Sequence, residues 1–337
     1  MNSVSKSDME ELIAPVDKEL LKSELTQECF FRDTNRAGNK IYIVDNTTAP
    51  NVLREVGRLR EMAFREYGGG SGKATDLDEF DLDPAYRYKQ MVLWDPEAEC
   101  IVGGYRFVLG DDFMYDHEGQ PITPSSHMFT FTRKFLKEKI LQTIELSRSF
   151  VALEYQSTRE NSKSLYALDN LFDGVASLIL LYGDRMKYFF GKMTIYPSFP
   201  KEALNMLLYF LRKHFGTRRE KWIITKNPVK IGDSSKYKDV FTEKDFKEDY
   251  KILKREIQKF GVNIPPLVNT YMNMSPTMLY FGTGINYDFG DIIDSGILLA
   301  FDELHPEKVD RHMKMPESHW PHIEGLKKRI SLRLKKR

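Results

Sequence analysis

The chain has 337 residues and a mass of 39.4 kDa, enough to bury a sizeable core as one large domain with extensions or as two small domains. Lys and Arg total 50 against 49 Asp and Glu, so no net basic field marks it as a nucleic-acid binder. Hydrophobic residues at 41% and charged residues at 29% exclude wholesale disorder.

Cys29 and Cys100 make neither a disulfide framework nor a metal motif, which points to a reducing compartment, the cytoplasm. The start Met-Asn-Ser-Val-Ser-Lys lacks an apolar signal core. No window reaches the roughly 18 apolar residues of a membrane span. The expectation is a chain neither exported nor membrane-spanning.

Residues 1–38 read as a helical extension. Ser7-Asp8-Met9-Glu10 has capping-box spacing and Pro15 would close that first helix. Asp17 would cap a second one, with Leu20, Leu21 and Leu25 on one side, and Asn35 to Asn39 turns the chain out of it. Ile41 to Val44 is the first expected strand. A helix opened by Pro50 follows, striped by Val52, Val56, Leu59 and Ala63 and stopped at Gly68. Arg60 and Phe64 lie four apart on it, a spacing that a surface arginine beside a core phenylalanine would also give.

Gly68 to Ala74 is glycine-rich, yet it follows a helix and has Ala74 where a phosphate-binding loop needs Ser or Thr. It reads as a flexible loop and candidate lid. Asp76, Asp78, Glu79, Asp81 and Asp83 then form an acidic run, by itself a solvated turn without the spacing of a Ca²⁺ loop. Tyr88 to Trp94 and Cys100 to Leu109 predict a hairpin about Asp95-Pro96-Glu97. Gly103 and Gly104 weaken its second strand unless a ligand or another backbone approaches closely, taken here as room for a ligand. A polar loop and the basic stretch Arg133 to Lys139, a solvated helix face, lead on.

Thr143 to Gln156, Thr-Ile-Glu-Leu-Ser-Arg-Ser-Phe-Val-Ala-Leu-Glu-Tyr-Gln, reads as a buried strand holding the charges of Glu145 and Arg148. Strand alternation sends positions 145 and 148 to opposite faces, so a shared site requires a bulge near Leu146 or Ser147. A helix Leu165 to Tyr182, a strand Tyr188 to Ile195 and a helix from Pro200 with Leu204, Leu207, Leu208 and Leu211 inward come next. Residues 217–262 look like an inserted polar surface segment ended by Pro265-Pro266. Met278 to Phe281 and Asp291 to Phe301 close the fold as strands. His305, His312, His319 and His322 lack metal-ligand spacing and read as scattered surface residues. In the tail, Ile323, Leu326, Ile330 and Leu334 recur at steps of three or four, and seven of the eleven residues from 327 on are basic. That pattern suits a helix lying on an anionic membrane.

Glu145-Leu146-Ser147-Arg148 followed by Ser149-Phe150-Val151 resembles the signature strand of the acyl-homoserine lactone synthases. It is more similar still to the hemolysin-like N-acyltransferases that acylate ornithine or glycine to begin phosphate-free membrane lipids. The resemblance extends to Arg60 and Phe64 in the first helix, to Asp78-Glu79-Phe80-Asp81 as an Asp-x-x-Asp, to Gly103-Gly104-Tyr105-Arg106 as a Gly-x-x-Arg, and to Pro265 to Leu304. It implies an α/β (α+β) GNAT-like acyltransferase fold: a central mixed, mostly antiparallel splayed sheet flanked by helices. The domain would span 39–305, between the extension 1–38 and the basic tail 306–337.

The resemblance also implies the chemistry. A long acyl chain, 3-hydroxylated or plain, moves from acyl carrier protein to the α-amine of glycine or ornithine, making an aminolipid precursor. Glu145 as base and Arg148 would be catalytic; Arg60, Phe64, Asp78, Asp81, Arg106 and Gln156 would bind substrates. GNAT enzymes follow this strand with a glycine-rich turn that holds the pyrophosphate of coenzyme A. Here Ser157 to Ser164 contains no glycine, which favours the phosphopantetheine of acyl carrier protein as donor over acyl-coenzyme A. No bound cofactor or metal is expected. A signal synthase or a silent acyl- or membrane-binding module are the alternatives. Location in the cytoplasm with peripheral contact at the inner membrane face completes the expectation.

Overall fold

In the computed structural model, which describes residues 9–156, 163–217, 221–232, 234–243 and 245–313, one eight-stranded sheet carries helices on both faces. Met9 to Val16 is not helical: Glu10 and Ile13 donate their N–H groups to Gly72 and Ala74, so this arm lies along the glycine-rich loop. Ser7 and Asp8 of the expected capping box lie outside the described residues. Helix α1 (Lys18–Glu24) starts where Asp17 accepts from the Glu19 N–H at 2.8 Å. Leu21 and Leu25 are buried, but Leu20 is 47% exposed, so the expected common face holds for two leucines of three.

The extension is not wholly helical either. Strand β1 (Phe30–Asp33) pairs with β2 (Lys40–Val44) as the sheet's first edge. Helix α2 (Pro50–Glu66) and the short α3 (Glu79–Leu82) precede the hairpin β3 (Lys89–Asp95) and β4 (Cys100–Leu109). Strand β5 (Phe129–Phe131), α4 (Arg133–Glu138) and β6 (Thr143–Val151) lead to α5 (Ser164–Tyr182), β7 (Tyr188–Ile195) and α6 (Lys201–Phe215). β8 (Ile223–Thr225), α7 (Ser235–Val240), α8 (Phe246–Gln258) and α9 (Pro266–Met272) precede β9 (Leu279–Asn286), β10 (Ile292–Ala300) and α10 (Pro306–Met313).

The strands are ordered β1-β2-β3-β4-β6-β7-β10-β9, and every neighbouring pair is antiparallel except β6–β7. That parallel pair covers only Thr143 to Glu145 against Tyr188 to Phe190, after which the strands part. This gap positions everything that follows. Tyr105 meets Phe172 of α5 and Tyr271 of α9, whereas its neighbour Arg106 points to the α2–α3 side. Successive strand residues face opposite ways, so α2 covers one face and α5 with α9 the other.

The described residues of the segment 217–262 are largely at the surface yet anchored in the core. Its β8 pairs with β5, and Tyr237, Phe241, Leu253 and Ile257 are buried. A helix with one apolar stripe supplies few aliphatics yet still belongs to the core. Helix α5 is long and apolar enough by length and composition to cross a membrane, contrary to the expectation that no window is. Its Ala167, Leu171 and Leu178 are buried in the core, and it packs on the sheet and on α10. His312 is also buried, with Nδ1 2.8 Å from Asp173, so it is no surface histidine.

Candidate active site

The β4–β6 ladder runs from Gly104↔Phe150 to Arg106↔Ser147, two steps on β4 against three on β6. The extra residue lies at Arg148 or Ser149, and Arg148 has φ of 50°, a left-handed conformation that costs a non-glycine residue about 1 kcal/mol or more. The bulge thus lies immediately beyond Ser147, near the place that strand alternation required. A Cβ on Gly103 would sit 2.5 Å from the Phe150 carbonyl, and one on Gly104 would sit 2.8 Å from that of Met91. These glycines admit neighbouring strands beside the bulge and do not line an acyl channel, which corrects the expected role.

The acidic run is not solvated. Asp78 caps α3, accepting from Phe80 and Asp81, while Asp81 returns a bond to the Asp78 N–H. Asp81 meets Arg60 at 2.7 Å and Arg106 at 2.9 Å; Arg106 also meets Asp78 at 2.5 Å. Asp76 joins Arg60 and Arg148, each with Nε 3.0 Å from the same Oδ2. These last contacts are close enough for charge attraction but make no aligned hydrogen bond. Three arginines and three aspartates thus form one neutral network.

Arg60, Arg106 and Asp81 are fully enclosed. Burial would raise the Asp81 pKa, but Arg106 and Arg60 outweigh it and hold the carboxyl well below its usual range. Burial likewise works against Arg106, and the Asp81 and Asp78 carboxylates reverse it, raising its pKa. Arg60 and Arg106 are enclosed among these carboxylates and do not border the cavity described below, so in this structure their side chains brace α2, α3 and β4. Arg148 keeps 17% of its side chain exposed and rests 4.2 Å above the Phe289 ring.

Glu145 is buried on the α2 side, where Tyr88 donates to one oxygen at 2.9 Å and Ser125 donates to the other. Burial pushes its pKa up, and the two hydroxyls oppose that. It does not border the cavity described next, and as the expected base it would reach an acceptor only through an intervening group or water.

A cavity of about 630 Å³ opens where β6 and β7 part. It crosses the sheet, with Ala63, Phe64 and Tyr67 of α2 on one side and Ala167, Leu168 and Leu171 of α5 on the other. Leu267 and Tyr271 of α9 extend the apolar side. Of the expected site residues, Phe64, Arg148 and Gln156 border it. Gln156 accepts from the Tyr67 hydroxyl at 2.6 Å and donates to the Val151 carbonyl at 2.7 Å.

The α2 side carries polar groups that the sequence reading missed. Lys192, Thr194, Asn286 and Asp294 line the wall, from β7, β9 and β10. Asp294 accepts from Thr194 at 2.7 Å and from Asn286 at 3.1 Å, with the Lys192 ammonium 3.5 Å away. Their signal was the one that exposed Glu145: a charge inside an apolar strand, Lys192 in Phe-Gly-Lys-Met and Asp294 in Ile-Ile-Asp-Ser. Glu61, also missed, anchors the glycine-rich loop by accepting from Ser71 and Gly72, so that loop is held and not a free lid.

A model of the acetyltransferase (GNAT) domain matches residues 59–164, which contain the network and β6. The chain is 54% identical over 314 residues to a glycine N(alpha)-acyltransferase of Bacteroides thetaiotaomicron, covering 92% of each chain. It is 52% identical to a glycine N(alpha)-acyltransferase of Phocaeicola vulgatus, covering 91% of this chain and 93% of that one. Among solved structures it is similar to FeeM, an N-acyl amino acid synthase from uncultured soil microbes, at 13% identity and a TM-score of 0.30, over 50% of this chain and 77% of that chain.

Proposed function

We propose, since the chain belongs to the glycine N(alpha)-acyltransferase family and is an acyltransferase of GNAT fold, that it moves a long acyl chain from a thioester to the α-amine of glycine. The observation that carries the reading is the cavity through the sheet, apolar towards α5 and α9 and polar towards α2. A fatty acyl thioester has the same two halves, a hydrocarbon tail and a reacting head. Laid along this cavity, its tail lies among Leu168, Leu171 and Leu267 and its carbonyl reaches the gap between β6 and β7.

A neutral amine is nucleophile enough for a thioester, so no covalent enzyme intermediate is required. The site must remove a proton from the ammonium, support the tetrahedral oxyanion and hold the acceptor in line. Arg148 is the network's arginine that borders the cavity, and its positive charge lies at the β6 wall, where the oxyanion would form. Asp76 and Asp78 on one side and Phe289 on the other fix its position. Glu145, behind the wall, acts as a positioning residue through Tyr88 and Ser125.

The proposed donor is acyl carrier protein, supported by the glycine-free stretch Ser157 to Ser164, of which 157–162 lie outside the described residues. The product is proposed to be an aminolipid precursor in the cytoplasm. Membrane contact through residues 323–337, also outside the described residues, is a further proposal. Lipids from a host that makes no amino-acid lipids, expressing this protein, test the reading by mass spectrometry. A new N-acylglycine is expected; unchanged lipids with soluble protein present would overturn it.

A further inference from the structure

The proposed reaction needs a place for a zwitterion, and the polar wall of the cavity is built as one. Thr194 and Asp294 are direct ladder partners, and Lys192 stands two residues before Thr194 on the same face. Asp294 is 1% exposed and the Lys192 side chain 12%, so both charges sit largely out of bulk water. Their separation of 3.5 Å exceeds the usual reach of a hydrogen bond. The ammonium therefore keeps donors to spare, and each Asp294 oxygen, holding one donor from Thr194 or Asn286, retains a lone pair. Bracing two strands would not require the pair to line a cavity or to stand apart.

Resting on the functional reading above, we propose that Lys192 and Asp294 form the acceptor site, Lys192 taking the amino acid's carboxylate and Asp294 its ammonium. One ammonium proton passes to Asp294 and later to solvent. The freed lone pair forms the C–N bond at the thioester carbonyl, and the C–S bond breaks. The departing sulfur takes a second proton as the thiol, and the third stays on the amide nitrogen. Lys192 and Asp294 thereby set specificity for a free α-carboxylate beside the amine.

The test compares glycine with glycinamide, which has the amine but no carboxylate, as acceptors for the full-length enzyme and for Lys192→Met and Lys192→Gln. Each ratio is taken within one protein preparation, so partial unfolding of a variant does not alter it. The wild type is expected to prefer glycine roughly 10- to 100-fold in kcat/KM, the range for a hydrogen bond to a charged group. In both variants that preference should collapse towards unity through a higher KM for glycine, with the KM for the acyl thioester unchanged. Asp294→Asn should lower kcat for both acceptors. An unchanged preference in both variants, with a working wild type, overturns this assignment alone. A wild type that acylates neither acceptor overturns the functional reading and this assignment with it.

Discussion

At the scale of single residues, the neutral network of Arg60, Arg106, Arg148, Asp76, Asp78 and Asp81 decides between two kinds of variant. Asp81→Asn leaves Arg60 and Arg106 without their shared, fully buried counter-charge. Loss of one partner of a buried ion pair costs about 3–5 kcal/mol, to be read from urea unfolding at pH 7. The pH dependence has a definite sign. A carboxylate held below its ordinary value contributes stability that is complete above about pH 4 and is lost as acid protonates it in the fold. Wild-type stability should therefore fall below about pH 4, and the Asp81→Asn variant should decline less steeply there. Arg148→Ala, by contrast, removes a partly exposed group at the cavity wall. It is expected to lower kcat about 100-fold, as loss of an oxyanion contact does, while moving the unfolding midpoint less than Asp81→Asn. The sequence showed Glu145 and Arg148 as charges inside an apolar strand, but neither the burial of Arg60 and Asp81 nor which arginine borders the cavity. Arg60, Arg106 and Arg148 carry the same charge, and only packing separates the enclosed pair from the one at the cavity.

At the scale of elements, α5, β7, α6, β9 and β10 of the second half of the chain were legible because their periodicity was strong, whereas α7, α8, α9 and α10 were not. β7 occupies the expected Tyr188–Ile195, and α6 follows Pro200 with its four leucines inward. β1, β5 and β8, of four, three and three residues, carry too little alternation to be read. The bulge was required by the alternation argument but the residue that forms it was not, because Arg148 in a left-handed conformation has no residue-type signal. α5 walls the apolar side of the cavity, so Leu168→Trp fills part of it without touching the polar wall. The preferred acyl chain should shorten by at least two carbons, with the KM for glycine unchanged, when a series of acyl thioesters is compared. An unaltered chain-length profile would place the acyl tail elsewhere.

At the scale of the molecule, one break in the sheet organises the rest. β6 and β7 pair for three residues and then part, so the opening lies between two faces that differ in character. The fold class was readable from the order of elements and from the β6 motif, whereas the polar wall depended on β7 meeting the distant hairpin of β9 and β10. The most direct measurement of the central claim uses the purified full chain with a long-chain acyl carrier protein thioester and an equimolar mixture of amino acids. The mixture includes glycine and ornithine, and products are resolved by mass spectrometry. N-acylglycine is expected to dominate. Free fatty acid alone, or an amide formed chiefly with ornithine, would contradict the account.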